Sequence, residues 1–374
     1  MDPTTIAAAV RRFPLTGRPR PACPSLAERV TDVAAIAAQA AAGPEDMMAK
    51  AAHALNLAAL IASDCGMPDL ARRWCWRHIN VYRRLDALTI LHASYLLEPV
   101  LNLARLQIRA GDGQPTLDLL RAMYQAVTAN HDLTVDGQRL PMANLTGPQD
   151  ELRRLHQWAW MQYVTEGIRI HTLAGRWPEA VRHASSLRGI GLHLMEGRQA
   201  DIVAHLLDDD PDQARTVLHG STITEAWEQQ VASCLAAMCS QPSARVSTLD
   251  AMIDRFRAPY ESIEGYAVYR IRWGLTTVTL AAASHPATAQ DLLYQVATEA
   301  LDAADGYAAR EVYGYRTTLQ LDPVQQAALD AIVKRAALGE GSLLGDASSV
   351  LTDAVAIAEL ALAAAVGLAE QNGQ

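Results

Sequence analysis

The sequence predicts an all-α protein: a solenoid of stacked antiparallel helical hairpins carrying one small β-hairpin insertion. Three observations predict it. Apolar residues recur at spacings of three and four, as in "SLAERVTDVAAIAAQA" and "AMIDRFRAPYESIEGYAVYRIRWGL", which places them on one face of a helix. Strand-like alternation is almost absent. The third observation is a repeated helix start. "GPEDMM", "MPDLAR", "GPQDEL", "WPEAVR", "DPDQAR" and "DPVQQA" put Pro44, Pro68, Pro148, Pro178, Pro211 and Pro323 just inside a helix. Proline suits that position because its missing N–H would be unpaired there anyway. Acidic or amide residues follow in the first turn, where the helix dipole favours them.

The first element is a lead, residues 1–24. It is rich in proline and arginine and has no apolar core of the kind a signal peptide needs, so it is expected to be flexible. From 25 to 338 the helical period is nearly continuous, and this is the expected solenoid. Its exception is "DLTVDGQRLPM" (132–142), where Asp136-Gly137 suits a tight type I′ turn. Residues 129–147 therefore read as an inserted loop carrying a small hairpin. The stretch "LLDDDPDQ" (206–213) spells DDxxD at Asp208, Asp209 and Asp212, a magnesium-chelating pattern when it lies on one continuous helix. Pro211 breaks that helix. A turn is the better reading: Asp208 and Asp209 close one helix, Asp210 caps the next, and Gln213 sits at its N3 position. Residues 339–374 form an Ala-rich C-terminal helix. With the Ala-rich segment 25–42, it is expected to cap the ends of the stack or to mediate a homodimer, since repeat stacks need caps. Its stretch "LTDAVAIAELALAAAVGLAEQ" is the most apolar of the chain, but Asp353, Glu359 and Glu370 interrupt it, which favours packing over membrane spanning.

Composition sets bounds on function. A chain of 374 residues, half of them hydrophobic, can bury a large core. Its net charge of −9 argues against general nucleic-acid binding, which needs basic surface. Lys50 and Lys334 are the only lysines; with the alanine and arginine content this points to a high-GC bacterial genome. The five cysteines form no CxxC pair, so no zinc framework is expected, and their odd number fits reduced thiols in a cytoplasm.

Two hairpins share a finer pattern. "ALNLAALIASDCGMPDLARRWCW" has Gly66 in the turn and Ala71 five residues on, and "EGIRIHTLAGRWPEAVRHA" has Gly175 and Ala180 at the same separation. The glycine lets the chain reverse, and the alanine lets two helices approach. The pattern resembles the tetratricopeptide repeat, a helix–turn–helix unit of about 34 residues. Four further stretches, near 104–120, 192–207, 204–218 and 280–297, follow it in outline. The family's tryptophan, leucine and tyrosine consensus is not reproduced, so the resemblance is to a degenerate array. The chain is also similar to tetratricopeptide-like proteins of actinobacteria, some of which are effector halves of helix-turn-helix regulators. Residues 1–24 are too short for such a DNA-binding element, so direct DNA regulation is not expected.

Familiar catalytic signatures are missing. Neither lysine follows a glycine, which excludes a P-loop. "GDGQPT" and "GIGLHL" contain GxG but lack a preceding strand and a third glycine. There is no GxSxG, HExxH or kinase set. Glu179/His183 and Asp201/His205 stand at i,i+4, a spacing that suits metal ligands and also ordinary ion pairs; no metal or cofactor is expected.

Four stretches are candidates for binding. Arg73, Arg77, Asn80 and Arg84 fall along one stripe of "RRWCWRHINVYRRLD", and guanidinium forks bind oxyanions bidentately; the bland alternative is a solvated face. His156, Trp160 and Tyr163, and later Tyr266, Arg270 and Trp273, stand at i, i+4, i+7, as a core face or a groove lining does. Gly197, beside Glu196, Arg198 and Gln199, reads either as a close approach within a helix or as a hairpin turn. Thr222 and Glu225 have capping-box spacing, and Trp227 follows.

The expected function is a non-enzymatic, cytoplasmic binding protein, regulatory in one version. It would recognise a peptide or partner-protein segment in the solenoid groove, a small anionic molecule being a further candidate. The expected ligand-binding residues are Arg73, Arg77, Asn80, Trp160, Tyr163, Arg198, Gln199 and Trp227. The alternative is an enzyme or accessory protein of small-molecule biosynthesis, using Glu196, His193 and Glu228 in a pocket between hairpins.

Overall fold

The computed structural model describes residues 1–259, 263–315, 319–343 and 345–372. Among these it holds seventeen α-helices, one 3-10 turn and a two-stranded sheet. The chain divides into two compact units, each built from two distant stretches: Met1–Pro24 with Val164–Ala336, and Ser25–Tyr163 with Ala337–Gln374. The breaks fall after Pro24, Tyr163 and Ala336, and each unit joins one end of the described chain to a distant stretch.

The unit containing Ser25–Tyr163 starts with α2 (Leu26–Ala42), after α1 (Pro3–Val10) of the other unit. Ser25 and Glu28 form a reciprocal capping box. Then come α3 (Met47–Asp64), α4 (Pro68–Arg83), α5 (Ile90–Ala110) and α6 (Gly113–Ala129). Each of α3 to α6 packs on the helix before it. The α3–α4 turn matches the sequence reading: Gly66 takes φ +78° and Ala71 is buried. Pro44 does not start a helix; α3 begins at Met47, behind Asp46 in a left-handed conformation. Pro148 likewise precedes α7 (Gln149–Leu173).

Between α6 and α7 the expected hairpin is present. Strands β1 (Leu133–Val135) and β2 (Gln138–Leu140) pair antiparallel, Leu133 opposite Leu140. Asp136 and Gly137 both take positive φ, 50° and 73°, as a type I′ turn requires. The Asp136 carboxylate accepts hydrogen bonds from Arg72 and, at 3.1 Å, from Trp76 Nε1, so the hairpin tip is tied to α4.

The C-terminal helix α17 (Ala347–Asn372) completes this unit, packing on α2, α3 and α4. Leu351, Val355, Ala358, Leu362 and Val366 form its buried face. The two Ala-rich segments lie against each other, where small side chains let the helices approach closely. Residues Ala347–Leu368 are long and apolar enough to cross a membrane by length and composition, and 39% of that window is buried here.

The other unit resumes at Val164 within α7 and continues through α8 (Trp177–Ser186), α9 (Glu196–Leu207), α10 (Pro211–His219) and α11 (Ala226–Met238). A 3-10 turn at Pro242–Ala244 leads into α12 (Arg245–Arg257), then α13 (Ala267–Ala281), α14 (Pro286–Ala303), α15 (Gly306–Tyr313) and α16 (Pro323–Arg335). The hairpin at Gly175 also has the expected geometry: φ is +70° and Ala180 is buried. A Cβ on Gly167 of α7 would lie 2.0 Å from His183 Nε2 of α8, so glycine is needed there.

"LLDDDPDQ" is a turn. Asp208 closes α9 and Asp209 takes φ +57°. Asp210 accepts from Gln213 N at 3.0 Å at the start of α10, and Asp212 pairs with Arg215. The stretch near 192–207 is not a hairpin: α9 begins at Glu196, after an irregular loop. Gly197 is there because a Cβ would sit 2.3 Å from the Gly189 carbonyl oxygen.

Candidate functional site

Residues 1–24 are not a loose lead. Pro3 starts α1, capped by Asp2, and Ile6, Ala9 and Val10 are buried. The following segment, "FPLTGRPRPACP", has too many prolines for a helix, so its backbone groups need partners elsewhere. The helices of its own unit provide them. Gln199, fully buried on α9, accepts from Leu15 N at 2.7 Å and donates to Leu15 O at 2.6 Å. Its amide also reaches Leu194 O at 2.5 Å. Tyr266 donates its hydroxyl to Gly17 O at 2.9 Å. Arg20 N donates to Gly265 O. Asp305 accepts from Cys23 N at 3.0 Å with one oxygen and caps α15 with the other.

Side chains fix the register. Phe13, Leu15 and Cys23 are buried. Gly17 lies against Trp227 so closely that a Cβ would be 2.3 Å from Trp227 Cγ. Arg18 pairs with Glu196 at 2.9 Å, and Arg20 lies 3.9 Å over the Tyr307 ring. Burial pushes the Glu196 carboxyl up, and Arg18 opposes the shift. Arg18, Pro19 and Arg20 themselves are exposed. The result is a cradle of Glu196, Gln199, Trp227, Tyr266, Asp305 and Tyr307 holding an extended peptide.

Of the residues expected to bind, Gln199 and Trp227 belong to this cradle, but their present contacts are with the chain itself. Arg198 does not join them. It donates to Val217 O at 2.8 Å and Ser221 Oγ at 3.1 Å, tying α9 to the end of α10. Arg73, Arg77, Asn80, Trp160 and Tyr163 belong to the other compact unit. Arg73 is exposed; Arg77 is committed to Glu359 of α17 at 2.6 Å. Asn80 is half-buried with Oδ1 unpaired, and Tyr163 packs 5.8 Å from Tyr124. The stripe of Arg270 and Trp273 is core. Arg270 forms two hydrogen bonds with Glu299, at 2.7 and 2.8 Å, and lies on the Phe256 ring.

Of the three residues of the enzymatic reading, Glu228 is a staple. Its carboxylate accepts from Thr224 N (2.8 Å), Glu225 N (3.0 Å), Leu194 N (3.0 Å) and His193 Nδ1 (3.1 Å). Burial pushes this carboxyl up, but hydrogen bonds from Glu225, Thr224, Leu194 and His193 outweigh it and bring it down to about 2. The helix behind it starts at Ala226, so Thr222 is not its cap; Thr222 bridges to His193 instead. Glu179 pairs with Arg182 at 3.1 Å, and His205 stands 3.8 Å from Asp201. Among the described residues, no three His, Cys, Asp or Glu side chains converge as metal ligands.

The unit of Ser25–Tyr163 and Ala337–Gln374 holds, between α5 and the part of α7 before Val164, a cavity of about 360 Å³ lined by Ile90, Leu91, Ser94, Glu98, Arg154 and Trp158, among others. Burial raises the Glu98 carboxyl there.

The sequence reading missed Tyr266, Asp305 and Tyr307 as partners of the N-terminal segment. A signal was present in the alternation Phe13, Leu15, Gly17, all buried, with Pro14 and Thr16 between them half-buried; period two marks an extended, half-buried strand. No protein-family model matches the chain, no curated protein matches its sequence, and no solved structure matches its fold.

Proposed function

We propose that the protein is a non-enzymatic binding protein: a cytoplasmic, tetratricopeptide-like stack of hairpins that recognises an extended peptide or partner-protein segment. One observation carries this reading. A cradle of Glu196, Trp227, Tyr266 and Tyr307 already grips an extended, arginine-bearing segment of the chain itself, by backbone hydrogen bonds and an ion pair. The grip is uneven along the segment. Residues up to Leu15 are anchored by buried apolar side chains, each worth about 1.5–3 kcal/mol. Residues 18–22 are mostly exposed and are held by surface contacts of about 1 kcal/mol or less each. A partner segment of Gly-Arg-Pro character would exchange with this second half and leave the first in place.

The test uses a labelled synthetic peptide spanning residues 16–22. Gly17→Ala places a Cβ on Trp227 and lifts the resident segment off the cradle. Peptide binding by G17A should exceed that of the wild type by about tenfold, and Glu196→Gln should remove the gain. Equal binding by wild type and G17A would sink the reading.

A second reading, an enzyme or accessory protein of small-molecule biosynthesis, draws support from the cavity beside Glu98, whose carboxyl is raised by burial; buried acids of this kind gather at functional pockets. Native mass spectrometry of the protein from its host tests it. A retained small molecule that Glu98→Gln releases favours this reading, and a ligand-free mass counts against it.

A further inference from the structure

The end of α1 meets α13 and α15 around a cavity of about 490 Å³. Its wall includes Arg11, Arg12, Thr279, Arg310, Glu311 and Tyr315. Arg11 is the C-cap of α1, and Arg310 stands in the last turn of α15. Arg272 of α13 adjoins this wall: it donates to the Arg12 carbonyl at 2.5 Å and stands 3.9 Å from Glu311.

The charges do not balance. Arg12 is directed at Thr279 Oγ1 (3.4 Å) and the Tyr315 ring (4.8 Å), neither of them an anion. Among the described residues Arg11, Arg12 and Arg310 form no ion pair, and Glu311 is the one acid on the wall. The Nε of Arg272 is buried with no hydrogen-bond partner. Burial lowers both Arg12 and Arg272 from the usual guanidinium range, which is the cost of desolvating a cation. The C-terminal ends of α1, α13 and α15 offset part of this charge, roughly half a unit each. Four guanidiniums against Glu311 and these dipoles still leave a positive excess of roughly one to two charges. Packing alone gives no reason to collect cations in this way.

We propose that this cavity binds a small organic molecule through a dianionic oxyanion group, either a phosphoryl group or paired carboxylates. Guanidinium forks match both geometrically. A dianion matches the size of the excess. The volume lies in the range that small-molecule sites occupy and exceeds what a bare ion fills, so the anion carries an organic body. The overall charge of −9 disfavours nucleic acid, which needs an extended basic surface. The site is distinct from the peptide cradle and does not rest on that reading. It has one consequence for the N-terminal segment. A ligand bridging Arg11 and Arg12 to Arg310 would fasten α1 more firmly to α13 and α15 by linkage.

The experiment titrates the full chain with pyrophosphate, inorganic phosphate and citrate at constant ionic strength, by calorimetry, with KCl as the control. Saturable one-to-one binding of at least one probe is expected, and the preference between pyrophosphate and citrate assigns the phosphoryl or carboxylate source. Arg11→Gln and Arg310→Gln, both at exposed positions, should each weaken binding by about tenfold or more without altering the melting temperature of the unliganded protein. Ala282→Leu fills the cavity without changing charge and should weaken binding as well. The proposal is overturned if none of the three probes saturates below about 10 mM, or if R11Q, R310Q and A282L all bind as the wild type does.

Discussion

Replacing Glu228 by Gln tests how the loop before α11 is held. The carboxylate is 1% exposed and takes four N–H donors, two from the start of α11 and two from residues 193–194. Glutamine keeps one acceptor oxygen and turns the other into a donor. Whichever way it is placed, an NH₂ faces N–H groups, at Thr224 and Glu225 or at Leu194 and His193. The size of the loss follows from linkage. A carboxyl at about 2 when folded and 4.5 when unfolded contributes about 3 kcal/mol at pH 7. The folded pKa is depressed, so this stability is fully present above pH 4.5 and is lost as pH falls towards 2. By pH 3 about 2 kcal/mol of it is gone. E228Q does not titrate. Urea denaturation should therefore show E228Q less stable by about 3 kcal/mol at pH 7, with the gap narrowing by about 2 kcal/mol at pH 3. Hydrogen exchange at the amides of Leu194, Thr224 and Glu225 should accelerate in the variant. A gap below about 0.5 kcal/mol at pH 7, or one that does not change with pH, would refute the reasoning.

The remaining predictions concern other positions. Gly197→Ala should destabilise by about 2 kcal/mol in thermal melts, although helix propensity alone predicts a gain of up to about 1 kcal/mol; the Cβ would meet the Gly189 carbonyl at 2.3 Å, and a stabilised variant would refute this. His78 is buried with both ring nitrogens unpaired, and burial holds it down to about 3. The unfolded chain takes up this proton below pH 6.5 and the folded one does not, so the wild type should lose about 2 kcal/mol between pH 7 and pH 5 that His78→Leu retains. Equal pH slopes for the two in urea denaturation would count against it. Gln199→Ala leaves the N–H and C=O of Leu15 unpaired in a buried site, at a cost of about 2–4 kcal/mol. Limited trypsinolysis after Arg12 should then speed up, and an unchanged rate would show that the segment is held by other means.

Much of the scaffold was legible because its signals are local. Pro68, Pro178, Pro211 and Pro323 do lie in the first turn of their helices, and Asp136-Gly137 makes its turn from its own two residues. Where the reading failed, the deciding partner was distant. The Pro- and Arg-rich residues 1–24 have the composition of a flexible lead, yet Leu15 is fixed by Gln199 and Cys23 by Asp305, 184 and 282 positions away. The arginine stripe of α4 resembles a free binding face until Glu359, 282 positions on, takes Arg77. Spacing along a chain reports which residues share a face. It carries no record of which face another segment will cover.

The discontinuity of the two units also constrains how the chain is made. During synthesis, residues 1–24 emerge well before their partners on α9, α13 and α15, and α2 and α3 emerge well before α17. Neither unit can close until most of the chain has left the ribosome. Contacts between such distant residues form slowly, so the nascent protein exposes the Ala-rich faces of α2 and α3 until α17 has been made. These faces are where a chaperone would engage the unfinished chain, and where premature termination before residue 347 would leave an aggregation-prone product.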